Sequence, residues 1–181
     1  MDTRRRILTN EEVEEELPVF EIVHPDYWWF KITTTTADKK VNIYYASKID
    51  KLYIDGVECA ATKSVYESLY GRAVFSTPNT YDVWVHPEDG WNTNTKRLYC
   101  SSTMVEAYLG NNISVILVAN TSIKTLYLTA STPPAFYQGG NLAGVETIYV
   151  PKELVSVYRS NTNWRTFAAK IKPCEFVTIS N

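Results

Sequence analysis

The chain has 181 residues, of which 45% are apolar and 21% charged, and its formal net charge is -2. That balance suits one substantial globular domain or two small ones and excludes a disordered chain, and a charge so near zero supplies no basic field for holding nucleic acid by counterion release. No apolar run approaches the ~20 residues that cross a bilayer, so membrane insertion is not expected.

Aromatic residues make up 13% of the chain, with 13 Tyr and 5 Trp, which leans toward strands and contact surfaces. Cys59, Cys100 and Cys174 are widely spaced, odd in number and without a CxxC pattern. They read as free thiols, and neither a disulfide framework nor a zinc knuckle is expected. The start, Met1-Asp-Thr-Arg-Arg-Arg-Ile-Leu8, runs into Glu-rich sequence where a signal peptide needs its apolar segment, so export by a cleavable signal is not expected.

Residues 1–26 set Arg4, Arg5 and Arg6 against Glu11, Glu12, Glu14, Glu15 and Glu16. Opposite-sign blocks with few core-type residues make a poor core, which predicts an N-terminal arm. The arm is either a solvated terminus or an assembly segment that orders on a neighbouring subunit. In the second case Ile7, Leu8, Val19 and Phe20 are its anchors, and Arg4 to Arg6 meet an acidic neighbour.

From Tyr27 the pattern turns to strands. Trp28 to Thr36 and Val41 to Tyr45, broken by Ala37-Asp-Lys-Lys40, predict a hairpin, and Asp55-Gly56 signals the turn of another. Thr62 to Tyr70 fits a short helix with Val65, Tyr66 and Leu69 on one face. Ala73 to Phe75 and Thr80 to Val85 read as strands in hairpin order, with Tyr81, Val83 and Val85 on one side and Asp82 and Trp84 on the other. These elements predict a small antiparallel, β-sandwich-like domain over 27–90, followed by a linker from Pro87 to Thr95.

Beyond the linker the sequence repeats itself. Arg97 to Tyr108 and Thr147 to Tyr158, 50 residues apart, both read as apolar-Tyr, a capping position, then a short amphipathic helix ending on Tyr. The first copy predicts a helix capped at Ser102 and ended at Gly110. Ile113 to Ala119 is a continuous apolar strand, and Leu126 and Ile148 recur 22 residues apart in like strands. Pro151 suits a first helical position, with Leu154, Val157 and Tyr158 on one face. Trp164, Phe167, Ala168 and Ile171 predict a second helix that stops before Pro173. The two helices together form a lid over the open end of a stack.

The closing segment, Ile148-Tyr-Val-Pro-Lys-Glu-Leu-Val-Ser-Val-Tyr158 with Asn163-Trp164 and Ala169-Lys-Ile-Lys-Pro173, resembles the last unit of BspA-type leucine-rich repeat proteins of Bacteroidales. Leu126 to Pro134 is similar to their penultimate unit. The resemblance implies a short, capped leucine-rich-repeat-like module over 91–181. The fold class expected is therefore mainly β with short α, a small antiparallel β domain followed by that module.

Chemistry-bearing patterns are sparse. His24 and His86 are the two histidines, each followed by Pro, and no GxSxG, P-loop, HExxH or GxGxxG spacing occurs. Glu88 and Asp89 sit in a Gly-terminated turn, which explains them. No catalytic residue, cofactor or metal is expected. The contact candidates are Trp28 and Trp84, whose rings suit core, subunit contact or stacking on sugars, and Tyr99, Tyr127 and Tyr149, which occupy like places in successive strands. This tyrosine ladder is either packing or a binding surface.

The expectation is a non-enzymatic structural or adhesive protein: a virion component of a phage infecting Bacteroidales, such as a head fibre, decoration or tail-associated protein, made in the bacterial cytoplasm. Its partners are then other virion proteins or itself, as dimer or trimer, with a host surface glycan or protein as a further partner. The alternatives are a secreted or surface BspA-like adhesin or glycan-binding module, and an enzyme without a recognisable motif.

Overall fold

The computed structural model describes residues 16–33, 39–44, 47–59, 70–75, 80–90, 96–99, 104–111, 113–117, 122–136, 142 and 144–179. Its strands are β1 (Val19–Ile22), β2 (Trp28–Thr33), β3 (Lys39–Tyr44), β4 (Ser47–Ile54), β5 (Val57–Cys59), β6 (Tyr70–Phe75) and β7 (Thr80–Gly90). They continue as β8 (Lys96–Tyr99), β9 (Met104–Leu109), β10 (Ile113–Leu117), β11 (Thr125–Leu128), β12 (Ala135–Phe136), β13 (Thr147–Pro151) and β14 (Ile171–Thr178). One short helix, α1 (Val155–Ser160), lies between 3-10 turns at Lys152–Leu154 and Arg165–Lys170. The protein is mainly β with short α.

Nine strands form one mixed sheet in the order β1-β14-β13-β11-β9-β2-β7-β4-β5. The half built from β2, β4, β5 and β7 is antiparallel. In the other half, β9, β11, β13 and β14 run parallel. β2 joins the halves by pairing antiparallel with β9, so the sheet runs unbroken past residue 90. β12, β10 and β8 form a second, parallel sheet, and β3 pairs with β6.

From β8 to β13 the chain alternates between the small parallel sheet and the large one, so each circuit lays one strand on each. Successive circuits are tied by Lys124 N donating to the Val105 carbonyl and Glu146 N to the Lys124 carbonyl, both at 2.8 Å. The spacing of 22 residues is structural, because Leu126 and Ile148 are direct partners. Between the sheets lies the core, with Trp28, Phe30, Ile32, Val83, Val85, Leu109, Leu126, Ile148 and Ile171 all buried. β2 shows why: its burial alternates strictly, Trp28, Phe30 and Ile32 turning inward and Trp29 and Lys31 toward the opposite face.

Several expectations are corrected. β2 forms no hairpin with the next strand; it pairs with β7 and β9, while β3 pairs with β6, because burying the Trp28 face requires long-range neighbours on both sides. For the same reason β6 and β7 are not a hairpin pair. Pro87 to Gly90 is the end of β7 and not linker. Met104 to Leu109 is a strand and not a helix: its Tyr-ended pattern matches that of Val155 to Tyr158, but two flanking strands claim its backbone hydrogen bonds. The helix expected over Thr62 to Tyr70 falls outside the described residues except at Tyr70, which begins β6.

At the C-terminus, α1 and the 3-10 turns pack onto the core, with Leu154, Val155 and Phe167 against it. Tyr158 and Trp164 are fully buried, and Tyr158 Oη donates to the Ala130 carbonyl and Trp164 Nε1 to the Pro134 carbonyl, each at 2.8 Å. These bonds satisfy the polar tips of two large rings that burial would otherwise penalise. The second expected helix is only a 3-10 turn, and Ile171 begins β14 instead. Pro173 is tolerated inside that strand, where it lies opposite Val150 of β13.

Candidate functional site

The face of the large sheet opposite the core carries a row of aromatic residues. Tyr53, Trp84, Trp29, Tyr108, Tyr127 and Tyr149 are successive cross-strand partners across β4, β7, β2, β9, β11 and β13. Directly opposed residues share a face, so the register alone builds a ladder six strands wide. Tyr127 and Tyr149 stack with centroids 5.2 Å apart, and Trp29 and Trp84 lie 6.5 Å apart at 47°.

A terminal ribbon covers the middle of this ladder. The first half of β14 pairs with β13 and its second half with β1, Phe20 lying opposite Phe176. Phe20 packs onto Tyr108 at 4.7 Å, Tyr127 at 4.6 Å and Trp29 at 5.6 Å, which places the ribbon over the sheet face. Phe176 adds a contact to Tyr108 at 6.1 Å. Glu175 N donates to the Pro18 carbonyl and Ile179 N to the Ile22 carbonyl, closing the ribbon at both ends. Burial under it raises the Tyr127 phenol to about 12 and raises that of Tyr108 as well. The Cys174 thiol, buried beside the ribbon, is likewise pushed up by burial, the opposite of an activated nucleophile.

Beyond the ribbon the ladder opens into a groove of about 530 Å³. Its floor is Trp29, Trp84, Phe20 and His24, and its rim carries Glu21, Asp55 and Asp82. Two tight turns hold these groups. The turn from His24 to Tyr27 has Asp26 at φ 67°, a left-handed position that Asp tolerates, and closes with Tyr27 N donating to the His24 carbonyl at 3.2 Å. It sets the His24 ring on Tyr53 at 4.1 Å, nearly parallel. The β4–β5 turn has Asp55 at φ 48° and Gly56 at φ 81°, the type I′ geometry that its Asp-Gly pair predicts.

Asp55 is further locked to β7. Asp82 N donates to Asp55 Oδ1 at 2.9 Å, and Asp55 N donates to the Asp82 carbonyl at 2.8 Å. Lys31 neighbours Asp82 on the same face, but its Nζ is held by Glu106 Oε2 at 2.8 Å. That bond, ahead of the charges of Glu106 and Asp82, raises the Lys31 amine above its usual value. None of the described residues lining the groove is lysine or arginine. Burial lowers the His24 imidazole below its usual value.

The expected contact residues divide accordingly. Trp28 is fully buried in the core and offers no surface, because of the two adjacent tryptophans it is Trp29 that turns outward. Trp84 is 7% exposed and belongs to the floor of the groove. Tyr127 and Tyr149 do form a ladder, but Tyr99 is not its third rung: it lies in β8 of the small sheet, opposite Leu117, and Tyr108 takes the place beside Tyr127. Phe20 packs onto its own chain, against Tyr108 and Tyr127, while Val19 beside it is 55% exposed. Arg4, Arg5, Arg6, Ile7 and Leu8 lie outside the described residues. The sequence reading missed Trp29, His24, Asp55 and Asp82 as a group; the one local signal was the outward-facing parity of Trp29, Asp82 and Trp84.

Among the described residues, no group of three or more His, Cys, Asp or Glu is placed to hold a metal ion, and no helix is long and apolar enough to cross a membrane. No protein-family model matches the chain, and no curated protein matches it.

Proposed function

We propose that this chain is a non-enzymatic structural and adhesive protein that recognises its partner on the aromatic face of the large sheet. The observation that carries this reading is the six-strand aromatic ladder, covered at its centre by the protein's own terminal ribbon and bordered by a groove at which Trp29 is only half-buried. A row of rigid rings loses little conformational entropy on contact, which is why aromatic residues dominate recognition surfaces. In this reading the parallel circuits from β8 to β13, followed by the Tyr158–Trp164 segment, are a short BspA-like repeat stack that carries one half of this face.

The setting we propose is a phage virion, with the N-terminal region docking on the particle, and a bacterial surface as the alternative. Immobilised mucin, bacterial polysaccharides, intact host cells and purified virion proteins, each probed with the whole chain, test the adhesive reading; retention on one of these supports it, and retention on none overturns it. Mass spectrometry of purified particles tests the setting, since a chain absent from them does not belong to the virion.

A further inference from the structure

We propose that the groove bordering the ladder is a saccharide subsite that takes neutral sugars and rejects anionic ones. The inference deepens the adhesive reading above and rests on it.

Three features carry it. The floor is aromatic and angled: Phe20 lies 5.6 Å from Trp29 at 62°, Trp29 lies 6.5 Å from Trp84 at 47°, and His24 lies 5.6 Å from Trp84 at 71°. Rings in mutual contact leave no gap into which an ammonium group could be enclosed, so they do not form a cation cage. With Trp84 only 7% exposed, the half-buried Trp29 ring is the apolar surface on which the C–H face of a pyranose ring rests.

The rim consists of acceptors. Glu21, Asp55 and Asp82 are exposed carboxylates, and sugar hydroxyls are donors in need of acceptors at the edge of a stacked ring. Hydroxyl-to-carboxylate bonds are charge-assisted and roughly twice as strong as neutral ones. Asp55 is preorganised, because its Oδ1 accepts from Asp82 N at 2.9 Å and its backbone is fixed by the β4–β5 turn. A residue already fixed by its turn loses little freedom when a ligand arrives.

Charge supplies the selectivity. With three carboxylates on the rim and neither lysine nor arginine among the described lining residues, a sialylated, sulfated or uronic sugar would place an anion against anions. The volume of about 530 Å³ is in the range of small-ligand sites and leaves room for a short oligosaccharide end.

The test is tryptophan fluorescence and calorimetric titration of the whole chain with N-acetylchitotetraose, cellotetraose, maltotetraose and, as the anionic probe, 3′-sialyllactose. The expected result is binding of at least one neutral probe and none of the sialylated one, weakened about tenfold by Trp29→Ala. Asp82→Asn, an isosteric change at an exposed position, should weaken it several-fold with the fold intact, so the outcome does not depend on a truncated ring. Glu153→Gln, in the exposed 3-10 turn before α1, should leave it unchanged. Binding that both groove variants leave intact overturns the subsite but leaves the adhesive reading standing, as does retention on a macromolecule with no response to any sugar. Equal or tighter binding of 3′-sialyllactose overturns the selectivity. An arginine-rich peptide that binds in a Trp29-dependent way, where the neutral sugars do not, assigns the groove to a cationic partner and overturns the proposal.

Discussion

The two faces of the nine-stranded sheet both carry large side chains, yet they are closed by different means. The face of Trp28, Phe30 and Val83 is fully buried in one core, which also takes in Ile113 and Ile116 of the second sheet and Tyr158 and Trp164 of the C-terminal segment. The opposite face has a ladder as bulky, and among the described residues its cover is a ribbon, four-residue β1 with the second half of β14, together with the His24 ring stacked on Tyr53. Closure on the first face leaves Trp28, Phe30 and Val83 with no exposure, whereas on the second Trp29, Tyr53, Tyr127 and Tyr149 are only half-buried. The first face therefore carries the core, and the second is the face we propose for recognition.

The sharpest way to break this comparison is to truncate one ring on each face. Trp28→Ala removes a fully buried side chain and leaves a cavity that the surrounding strands cannot fill, at a cost of about 3–5 kcal/mol. Urea unfolding should show the loss as a lower midpoint at unchanged slope. Phe20→Ala acts on a half-buried ring and should cost about 1–2 kcal/mol. Hydrogen exchange locates that second effect: the amides of Glu175 and Ile179, bonded to the β1 side of the ribbon, should exchange faster, while those between β11 and β13 stay protected. If Phe20→Ala deprotects both regions equally, the strap is part of the core and the distinction fails.

The asymmetry also explains what the sequence disclosed and what it withheld. The core face is legible because period-two alternation in Trp28 to Thr33 and Thr80 to Val85 marks it without knowledge of neighbours. The Asp55-Gly56 turn is legible because only a few residue types accept its positive φ angles. β9 is not, since Met-Val-Glu-Ala-Tyr-Leu fits helical spacing as well as a strand, and only pairing with β2 and β11 decides. β14 is hidden by Pro173, which reads as a terminator until a parallel partner is supplied. The groove needs residues 20–24, 29, 55, 82 and 84 at once, and their proximity depends on strand registers that no local pattern encodes.

A smaller effect is expected at the rim. Gly56→Ala keeps open space around the new methyl group, since nothing lies within 4 Å of it, but forces a Cβ residue to φ 81°. The cost should be about 1 kcal/mol, all of it backbone strain. Asp55→Asn, by contrast, should be nearly neutral in thermal unfolding, because Asn accepts the left-handed conformation and its carbonyl oxygen can still receive Asp82 N. Equal losses in the two variants would show that the charge of Asp55, and not the turn, holds the rim.

The finest test uses pH, because the aromatic face carries phenols that the protein keeps protonated. A phenol raised to about 12 at Tyr127 means that above pH ~10 the folded state holds a proton the unfolded chain has released, so stability falls as pH climbs through that window. Lys31 adds to the same fall by another route: its amine is raised by the bond to Glu106, a contribution present at neutral pH and lost as the amine deprotonates. The pair is partly exposed, so Glu106→Gln should cost only a few tenths of a kcal/mol at pH 7. It should leave the alkaline decline largely in place, whereas Tyr127→Phe should make that decline shallower while barely changing the melting temperature at pH 7. If instead Glu106→Gln flattens the alkaline limb and Tyr127→Phe does not, the ion pair and not the strapped ladder governs how this face responds to pH.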